Sequence, residues 1–597
     1  MSEPSIYARR ILSGREFRLL LICPSSDPHQ RLECYCRPFQ LDAAPPYEAL
    51  SYVWGAPNPT SELLCNGKSI AVGLELGNAL TRLRLPDSTR MIWADALCIN
   101  QDDNEEKSHQ VPLMGSIYSQ ARRVVVWLGH GDVQQTMEAA QCVEKIAEAC
   151  RQYDRERDPN PTSFQRYKAL VLPVDIFTTT VCSSLRALYD RPWFSRVWCI
   201  QEIRLARDAL VLWGQQEFSW SNIGLAASWI FDKTVTPDKS EAVTTLLAEV
   251  AVEHADIMYD AAIAKAPLLD VLLSYRDFES TNPKDKVYGV LNLVAPYVEV
   301  EALKLDYKKS VGEVYADTVL STIRLYSRLT AFAYVTHPEE YSGSDEVRSW
   351  APRWDEPWVP MPMGIPEASC PWSACAGYRV RIVDAHHIGP KRLRLFGILY
   401  EKVAAVRVIM DYENLQDPAE IDGVHPFLSV SENIMKSSGL NLHKDSMEQW
   451  YMFARTLTAG SSGDADYVQN LDEKARETFY CAFAHFMKRL STLASRGTEG
   501  PIDHDPASIK FQDDAYNMCK QRRLFWTQNG SYGLGPKCMQ TGDVVAVLFG
   551  GNTPYVLRPH SGEYLFLGQA YVDGIMQGQL VHELQAGRVQ GQEFCLI

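Results

Sequence analysis

The residue types that can do chemistry are scattered through this chain, and their spacing excludes several reactions before it favours one. Its fifteen cysteines include no C-x-x-C pair. The closest two, Cys34 and Cys36, alternate in a strand-like stretch, so no zinc site is seeded. The thirteen histidines show no metal-ligand spacing: His386 and His387 are adjacent, and His582-Glu583 lacks a second histidine. No G-x-S-x-G elbow is present and Cys199 has no histidine partner in sequence, which argues against hydrolase and cysteine-protease chemistry. Gly550-Gly551-Asn552 reads as a hairpin turn, because no Lys-Ser/Thr and no helix follow it. Carboxylates near the ends of elements remain. Asp95 closes a strand, where an acid binds ligand or caps the next segment. Glu48 lies within a strand, as suits an ion pair with a helix arginine such as Arg196. Glu202 falls in the opening turns of a helix, where the dipole, Arg196 or Arg204 accommodates an acid without any chemistry. Asn100, Gln101 and Asp102 fit an Asx-type turn, and Trp193, Trp198 and Trp213 read as core.

These residues need elements to position them. Phe17–Ile22 is a short apolar run and Arg31–Cys36 alternates with period two, so the N-terminus reads as β. Tyr47–Trp54 is a strand ending at Gly55, before the breakers Ala56-Pro57-Asn58-Pro59. Arg90–Asp95 is another strand. Val111–Ala121 has helical spacing, with Pro112 in its first turn, and leads into Arg123–Gly129, apolar enough to be buried on both faces of a parallel sheet. Strands alternating with helices predict an α/β doubly wound unit. Residues 130–190 are mainly helical around a break at Asp158-Pro159-Asn160-Pro161 and read as an insertion. Ser240–Ile263 has the pattern of one amphipathic helix, and Asp285–Leu293 begins another. Ala459–Asp464 and Arg496–Pro506 read as loops. From about Arg522 the chain turns to β, with Asn529-Gly530 signalling a type I′ hairpin, a second hairpin across Gly550-Gly551-Asn552, and a strand over Tyr564–Tyr571.

Length and composition bound the answer. At 597 residues the chain suggests roughly three to five domains. These read as an N-terminal β segment, 1–45; an α/β domain, 46–215, with its insertion at about 130–190; a helical region, 216–345; a mixed region, 346–520; and a small antiparallel β-rich module, 521–597. Apolar residues at 46% and charged residues at 22% exclude global disorder. A net charge of −15 argues against a general nucleic-acid or anionic-membrane binder. No segment approaches the ~20 apolar residues of a membrane span, and thinly spread cysteines fit reduced, mostly buried thiols in an intracellular protein.

Three long blocks carry a resemblance. Tyr47-Glu48-Ala49-Leu50-Ser51-Tyr52-Val53-Trp54-Gly55, Trp93-Ala94-Asp95-Ala96-Leu97-Cys98-Ile99-Asn100-Gln101-Asp102, and Arg191-Pro192-Trp193-Phe194-Ser195-Arg196-Val197-Trp198-Cys199-Ile200-Gln201-Glu202-Ile203 are similar, in order, to the signature blocks of the fungal heterokaryon-incompatibility (HET) domain. Ala94 stands where Ile or Val is usual. Asn282–Gly289, Ser349–Trp354 (with Arg353 where an Asp is common), the stretch from Gly542-Asp543-Val544-Val545 through Leu557-Arg558-Pro559, and Tyr571–Met576 resemble later family motifs. The resemblance implies a fungal, cytoplasmic protein of non-self recognition and regulated cell death, self-associating or acting with another incompatibility protein.

HET domains in turn resemble Toll/interleukin-receptor-type (TIR) domains, which implies a flavodoxin-like parallel sheet. The run Trp198-Cys199-Ile200-Gln201-Glu202-Ile203 is similar to the Trp-Cys-x-x-Glu-Leu of plant-type TIR domains, whose Glu is catalytic in NAD cleavage. The resemblance thereby implies Glu202 as the catalytic residue, and NAD as a substrate with no resident cofactor. Ser51, Trp54, Gly55 and Asp95 would line a cleft at the carboxyl ends of the strands, with Trp54 or Trp198 stacking on a ring. Breaking the nicotinamide–ribose bond develops oxocarbenium-like charge, which a carboxylate stabilises most in the transition state. The alternative is a non-enzymatic adaptor of the same fold that recruits partners through its surface.

Overall fold

Short apolar runs build the first part of the chain into a sheet whose centre is sealed on both faces. The computed structural model describes the 597 residues apart from 1–5, 8–12, 28, 56–59, 158–165, 236–241, 261–265, 295–302, 344–345, 357–361, 364–369, 381–391, 411–426, 429–443, 464–465 and 497–505. The breakers at 56–59, the break at 158–161, His386-His387 and most of the loop predicted at 496–506 therefore lie outside the described residues. The chain forms two units, residues 1–309 and 310–597.

Nine strands make the sheet of the first unit: β1 Glu16–Ile22, β2 Glu33–Gln40, β3 Glu48–Tyr52, β4 Thr60–Cys65, β5 Lys68–Gly73, β6 Arg90–Trp93, β7 Arg123–Trp127, β8 Ala209–Trp213 and β9 Gln216–Ser219. They lie in the order β5-β4-β2-β1-β6-β3-β7-β8-β9. The sheet is mixed. β6, β3, β7 and β8 run parallel to their neighbours within that set, while β1 joins β6 and β9 joins β8 antiparallel. Numbered along the chain, the four central strands β3, β6, β7 and β8 lie in the spatial order 2-1-3-4. Burial follows pairing: all five residues of β3 and four of the five in β7 are buried, as parallel strands covered on both faces require. The crossovers carry the helices such pairs need, Leu74–Leu83 before β6, Asn104–Gln110 and Met114–Gln120 before β7, and Val133–Glu156, Thr179–Tyr189 and Val197–Arg204 before β8. Pro112 sits in a 3-10 turn, Val111–Leu113, that opens the helix predicted there.

Two sequence expectations fail here for physical reasons. Glu48 does not pair with Arg196. Its carboxylate receives Arg90 Nε at 2.5 Å and Arg123 Nε at 2.5 Å, from the strands on either side. Parallel neighbours begin towards the same end of a sheet, so Glu48 stands opposite Arg123 in β7 and opposite Ile92 in β6, two residues on from Arg90, whereas Arg196 serves the opposite end. The stretch Ser240–Ile263 is not one helix. It contains Ala242–Leu247 and Glu253–Tyr259 with a turn between. Val250 and Val252 are both buried, and residues two apart cannot share one face of a helix.

In the second unit the strands are β10 Leu393–Met410, β11 Ser461–Gly463, β12 Asp466–Tyr467, β13 Arg522–Thr527, β14 Tyr532–Pro536, β15 Val544–Leu548, β16 Tyr555–His560, β17 Glu563–Gln569, β18 Tyr571–Val572 and β19 Gly591–Leu596. The order β15-β16-β17-β19-β10 closes on itself through β10–β15 pairing, and β13, β14 and β18 extend from β10. Almost all pairs are antiparallel; β17 and β19 meet in parallel. β11 and β12 form a small hairpin where a loop is expected at 459–464. The turn at Asn529-Gly530 is also of another type. Gly530 N donates to Thr527 O at 3.0 Å and Thr527 N to Ser531 O at 3.0 Å. Gly530 has φ +88°, and Asn529 is not among the positive-φ residues. This is a type I turn followed by a left-handed glycine, since a I′ turn needs positive φ at both central residues.

The helix Val311–Tyr326 starts with a capping box, Ser310 Oγ receiving Glu313 N while Glu313 receives Ser310 N. Its second residue packs against backbone: a Cβ on Gly312 would run into the Glu346 carbonyl oxygen. Gly312→Ala is therefore expected to destabilise the chain by about 1–3 kcal/mol through overpacking, read as a lowered Tm. An unchanged Tm would mean the helix shifts freely there. All fifteen cysteines are free and most are buried, Cys481 being exposed. Among the described residues no helix is long and apolar enough to cross a membrane.

Candidate functional site

The carboxyl ends of β3 and β6 and the helix Val197–Arg204 meet at one edge of the central sheet. Ser51 comes one residue before the end of β3, fully buried, in a strand that is otherwise apolar apart from Glu48 at the far end. Its hydroxyl donates to Glu202 Oε2 and accepts from Trp193 Nε1 at 2.7 Å. Trp193 is buried in the short 3-10 turn Pro192–Ser195 that leads into the helix. Tyr118 donates to Leu50 O at 3.1 Å and its phenol also serves the Glu202 carboxylate. Glu202 is 5% exposed. Burial and the charge of Asp95 push its carboxyl up to about 8, against the opposing pull of Ser51, Tyr118 and Arg196.

Asp95 forms the second half of the site. It starts the short helix Asp95–Cys98 directly after β6. Trp54 Nε1 donates to its Oδ2 at 2.9 Å and the Ala96 amide to its Oδ1 at 2.7 Å. Burial pushes this carboxyl up to about 6, with the bonds from Trp54, Ala96 and Tyr52 opposing. Trp54 is 42% exposed, so its ring is open to solvent while its nitrogen is anchored. Gly55 follows in the left-handed region at φ +72° and stands on the exposed turn, apart from the Glu202 contacts.

Trp198 belongs to a third cluster. Its Nε1 donates to Asp285 Oδ2 at 3.0 Å, and Tyr307 donates to Asp285 Oδ1 at 2.8 Å. Burial raises the Asp285 carboxyl. Arg196 links the three clusters electrostatically: its charge acts on Asp95, Glu202 and Asp285 alike. Yet among the described residues it makes no ion pair within 4.0 Å. Arg204 turns elsewhere, donating to the carbonyls of Met258 and Asp260.

The structure thus joins Ser51 to Glu202 and Trp54 to Asp95, sets these two pairs within electrostatic reach, and holds Trp198 in a cluster beside them. Sequence reasoning missed Trp193 and Tyr118 as polar partners and gave Glu48 the wrong arginine. It singled out Asn282–Gly289 as a motif, and Asp285 in that motif orients Trp198. Within the turn Asn100–Asp102, Gln101 Nε2 donates to Asp95 O at 3.0 Å, and the helix that follows is capped by Asp103, which accepts from Glu105 N and Glu106 N. Among the described residues no group of three His, Cys, Asp or Glu side chains is placed to hold a metal ion.

Ser51 carries two of these bonds, so its loss strands two buried groups. Ser51→Ala is expected to cost about 1–3 kcal/mol, because Trp193 Nε1 and Glu202 each lose a partner out of water. Thermal unfolding measures it; a change well under 1 kcal/mol would mean that water replaces the hydroxyl.

Comparison with known proteins agrees with this layout. Residues 47–202 match the family described as Heterokaryon incompatibility protein (HET), a span that begins just before β3 and ends on Glu202. Residues 503–597 match the Het-6 beta-barrel domain. The chain is 26% identical over 700 aligned positions to "Heterokaryon incompatibility protein 6, OR allele" of Neurospora crassa, covering 100% of this chain and 97% of that protein. No solved structure matches. With its HET domain ending on the buried Glu202 and a Het-6 barrel domain at its C-terminal end, the chain is a HET-domain protein.

Proposed function

We propose that this chain is an effector of fungal non-self recognition of the heterokaryon-incompatibility type, and that its HET domain cleaves NAD at the edge of the central sheet. The family and the Neurospora relative support the first part. One observation carries the second: Ser51, Asp95 and Glu202 gather at the carboxyl ends of parallel strands ordered 2-1-3-4. In flavodoxin-like sheets of that order ligands bind outside these ends, where the strand order switches.

In the proposed step the bond between ribose C1′ and the nicotinamide nitrogen breaks, its electron pair leaving with neutral nicotinamide. The oxocarbenium left behind is stabilised by the Glu202 carboxylate, and water adds to C1′ with loss of a proton, giving ADP-ribose. A neutral Glu202 ionises more readily as the cationic nicotinamide ring arrives, since positive charge nearby favours the anion. Trp54, exposed and tethered through Asp95, supplies a face for a ring. Arg196, with no ion pair within 4.0 Å among the described residues, supplies a cation for the pyrophosphate.

A second reading has its own observation. Glu202 is nearly enclosed and hydrogen-bonded within the fold, as suits a strut fixing helix to strand in a non-enzymatic adaptor. NAD content in cells expressing wild type or Glu202→Gln separates the two: loss with wild type alone supports cleavage, and toxicity with NAD unchanged supports the adaptor.

A further inference from the structure

The second unit holds a cavity of about 340 Å³ that the HET chemistry does not use. Small-molecule sites occupy about 300–1,000 Å³, so this one is large enough for a compact ligand. Its wall is aromatic, with Trp372, Tyr480 and Tyr571 among the lining residues. Trp372 and Tyr571 meet edge to face with centroids 5.6 Å apart, and Tyr480 stacks on Tyr451 at 3.9 Å, so each ring is held by a neighbour. Gly460 makes room for the indole: it sits at φ +74°, and a Cβ there would lie 2.6 Å from Trp372 Cη2.

Two arginines line the same cavity, and their partners set them apart. Arg455 is committed within the fold. Its Nε and Nη2 hold Asp573 at 2.9 and 2.8 Å, Nη2 also donates to Glu448 at 2.9 Å, and Nη1 donates to Tyr480 Oη at 2.8 Å. Asp573 lines the cavity too and accepts from Tyr571 Oη at 2.9 Å, so its charge is already matched by Arg455. Arg476 is exposed and makes no ion pair among the described residues. Its Nη2 donates to Leu471 O at 2.9 Å, which pins the guanidinium beside the start of its own helix, Glu473–Arg496. That bond uses one of five N–H groups and leaves one edge of the fork complete. Tyr480 accepts from Arg455, so its own O–H proton is left for a further acceptor. The cavity therefore joins an aromatic wall to one uncompensated positive charge and two open donor groups.

We propose that this cavity binds a small aromatic carboxylate, with its ring on the wall of Trp372 and Tyr480 and its carboxylate on Arg476 and the Tyr480 hydroxyl. A carboxylate is planar and takes two parallel bonds from the open edge of a guanidinium. It brings one negative charge to one uncompensated cation, whereas a dianion would set a second charge near Asp573 and Glu448. An aromatic amine would oppose Arg476 with a like charge. The ring is needed because the wall offers edges and faces to stack on and little else to bond.

Calorimetric titration of the full chain at neutral pH and constant ionic strength tests this, with benzoate and 2-naphthoate as probes. One equivalent of at least one of them is expected to bind, and the tighter marks the ring size the wall takes. The neutral isosteres benzamide and 2-naphthamide should bind at least about tenfold more weakly, the scale of one lost charge-assisted hydrogen bond. Acetate, with the charge and no ring, should give no heat at the same concentrations. Arg476→Gln should weaken the bound probe by about tenfold or more at an unchanged Tm, because the side chain is exposed. No heat with either carboxylate, equal binding of the amide or of acetate, or wild-type affinity in Arg476→Gln would each overturn the proposal. Should Arg476→Gln lower the Tm, the carboxylate-to-amide ratio measured on wild type decides alone.

Discussion

Cells expressing the wild-type chain are expected to lose NAD, and cells expressing Glu202→Gln at matched level to keep it. The substitution is nearly isosteric and leaves an amide oxygen to accept the Ser51 hydroxyl, so the contact between β3 and the helix survives. What disappears is the negative charge, which the proposed transition state needs and the ground state does not. Removing a preorganised electrostatic group of this kind costs on the order of 10²–10³ in kcat. Equal NAD loss from the two proteins would remove Glu202 from the chemistry.

The raised pKa of Glu202 gives two further signatures in the purified protein. Only the anion stabilises an oxocarbenium, so cleavage by wild type is expected to rise with pH as the carboxyl ionises near 8. Stability moves the other way. A carboxyl raised above its ordinary 4.5 contributes stability fully present below that value, and the contribution fades as pH rises through 8. Glu202→Gln has no proton to lose, so its Tm should gain on wild type between those two limits. A strut without catalysis shows the stability effect and no cleavage.

Much of this fold is legible in the sequence because burial on both faces leaves a plain mark. Arg123-Val124-Val125-Val126-Trp127 cannot be an exposed strand, and β7 lies where that run predicts. Register and end-matching leave no such mark. Glu48 meets Arg90 and Arg123 because the strand register brings the opening residues of three parallel strands close together, and nothing in the spacing of residues 48, 90 and 123 says so. Trp193 reads correctly as core, yet its indole nitrogen completes the Ser51–Glu202 contact, a role that depends on where the turn before the helix places it. The Asn529-Gly530 pair announces a hairpin correctly. Its turn type depends on the backbone of Asn529, which loop length and strand twist decide together.

The coincidence at Glu48 is also the most costly place to disturb the first unit. Glu48 is 8% exposed, and its carboxylate is shared between two guanidinium groups at 2.5 Å each. Glu48→Gln leaves those two cations facing one neutral amide, and breaking such a buried arrangement costs about 3–5 kcal/mol. The lower end is expected, because the Arg123 side chain is 34% exposed and water relieves part of its charge. Burial alone would raise the Glu48 carboxyl, but the hydrogen bonds and charges of Arg90 and Arg123 outweigh it and hold it below its ordinary 4.5. Its contribution is therefore present above 4.5 and lost as pH falls through the depressed folded value. The Tm gap between wild type and Glu48→Gln should be wide at neutral pH and close in acid. A gap that stays constant even as pH falls below the depressed folded value would place its origin in packing. Because Glu48 and Ser51 stand at opposite ends of one five-residue strand, the variant should leave NAD cleavage per folded molecule unchanged. That separates the strength of the sheet from the chemistry proposed at its edge.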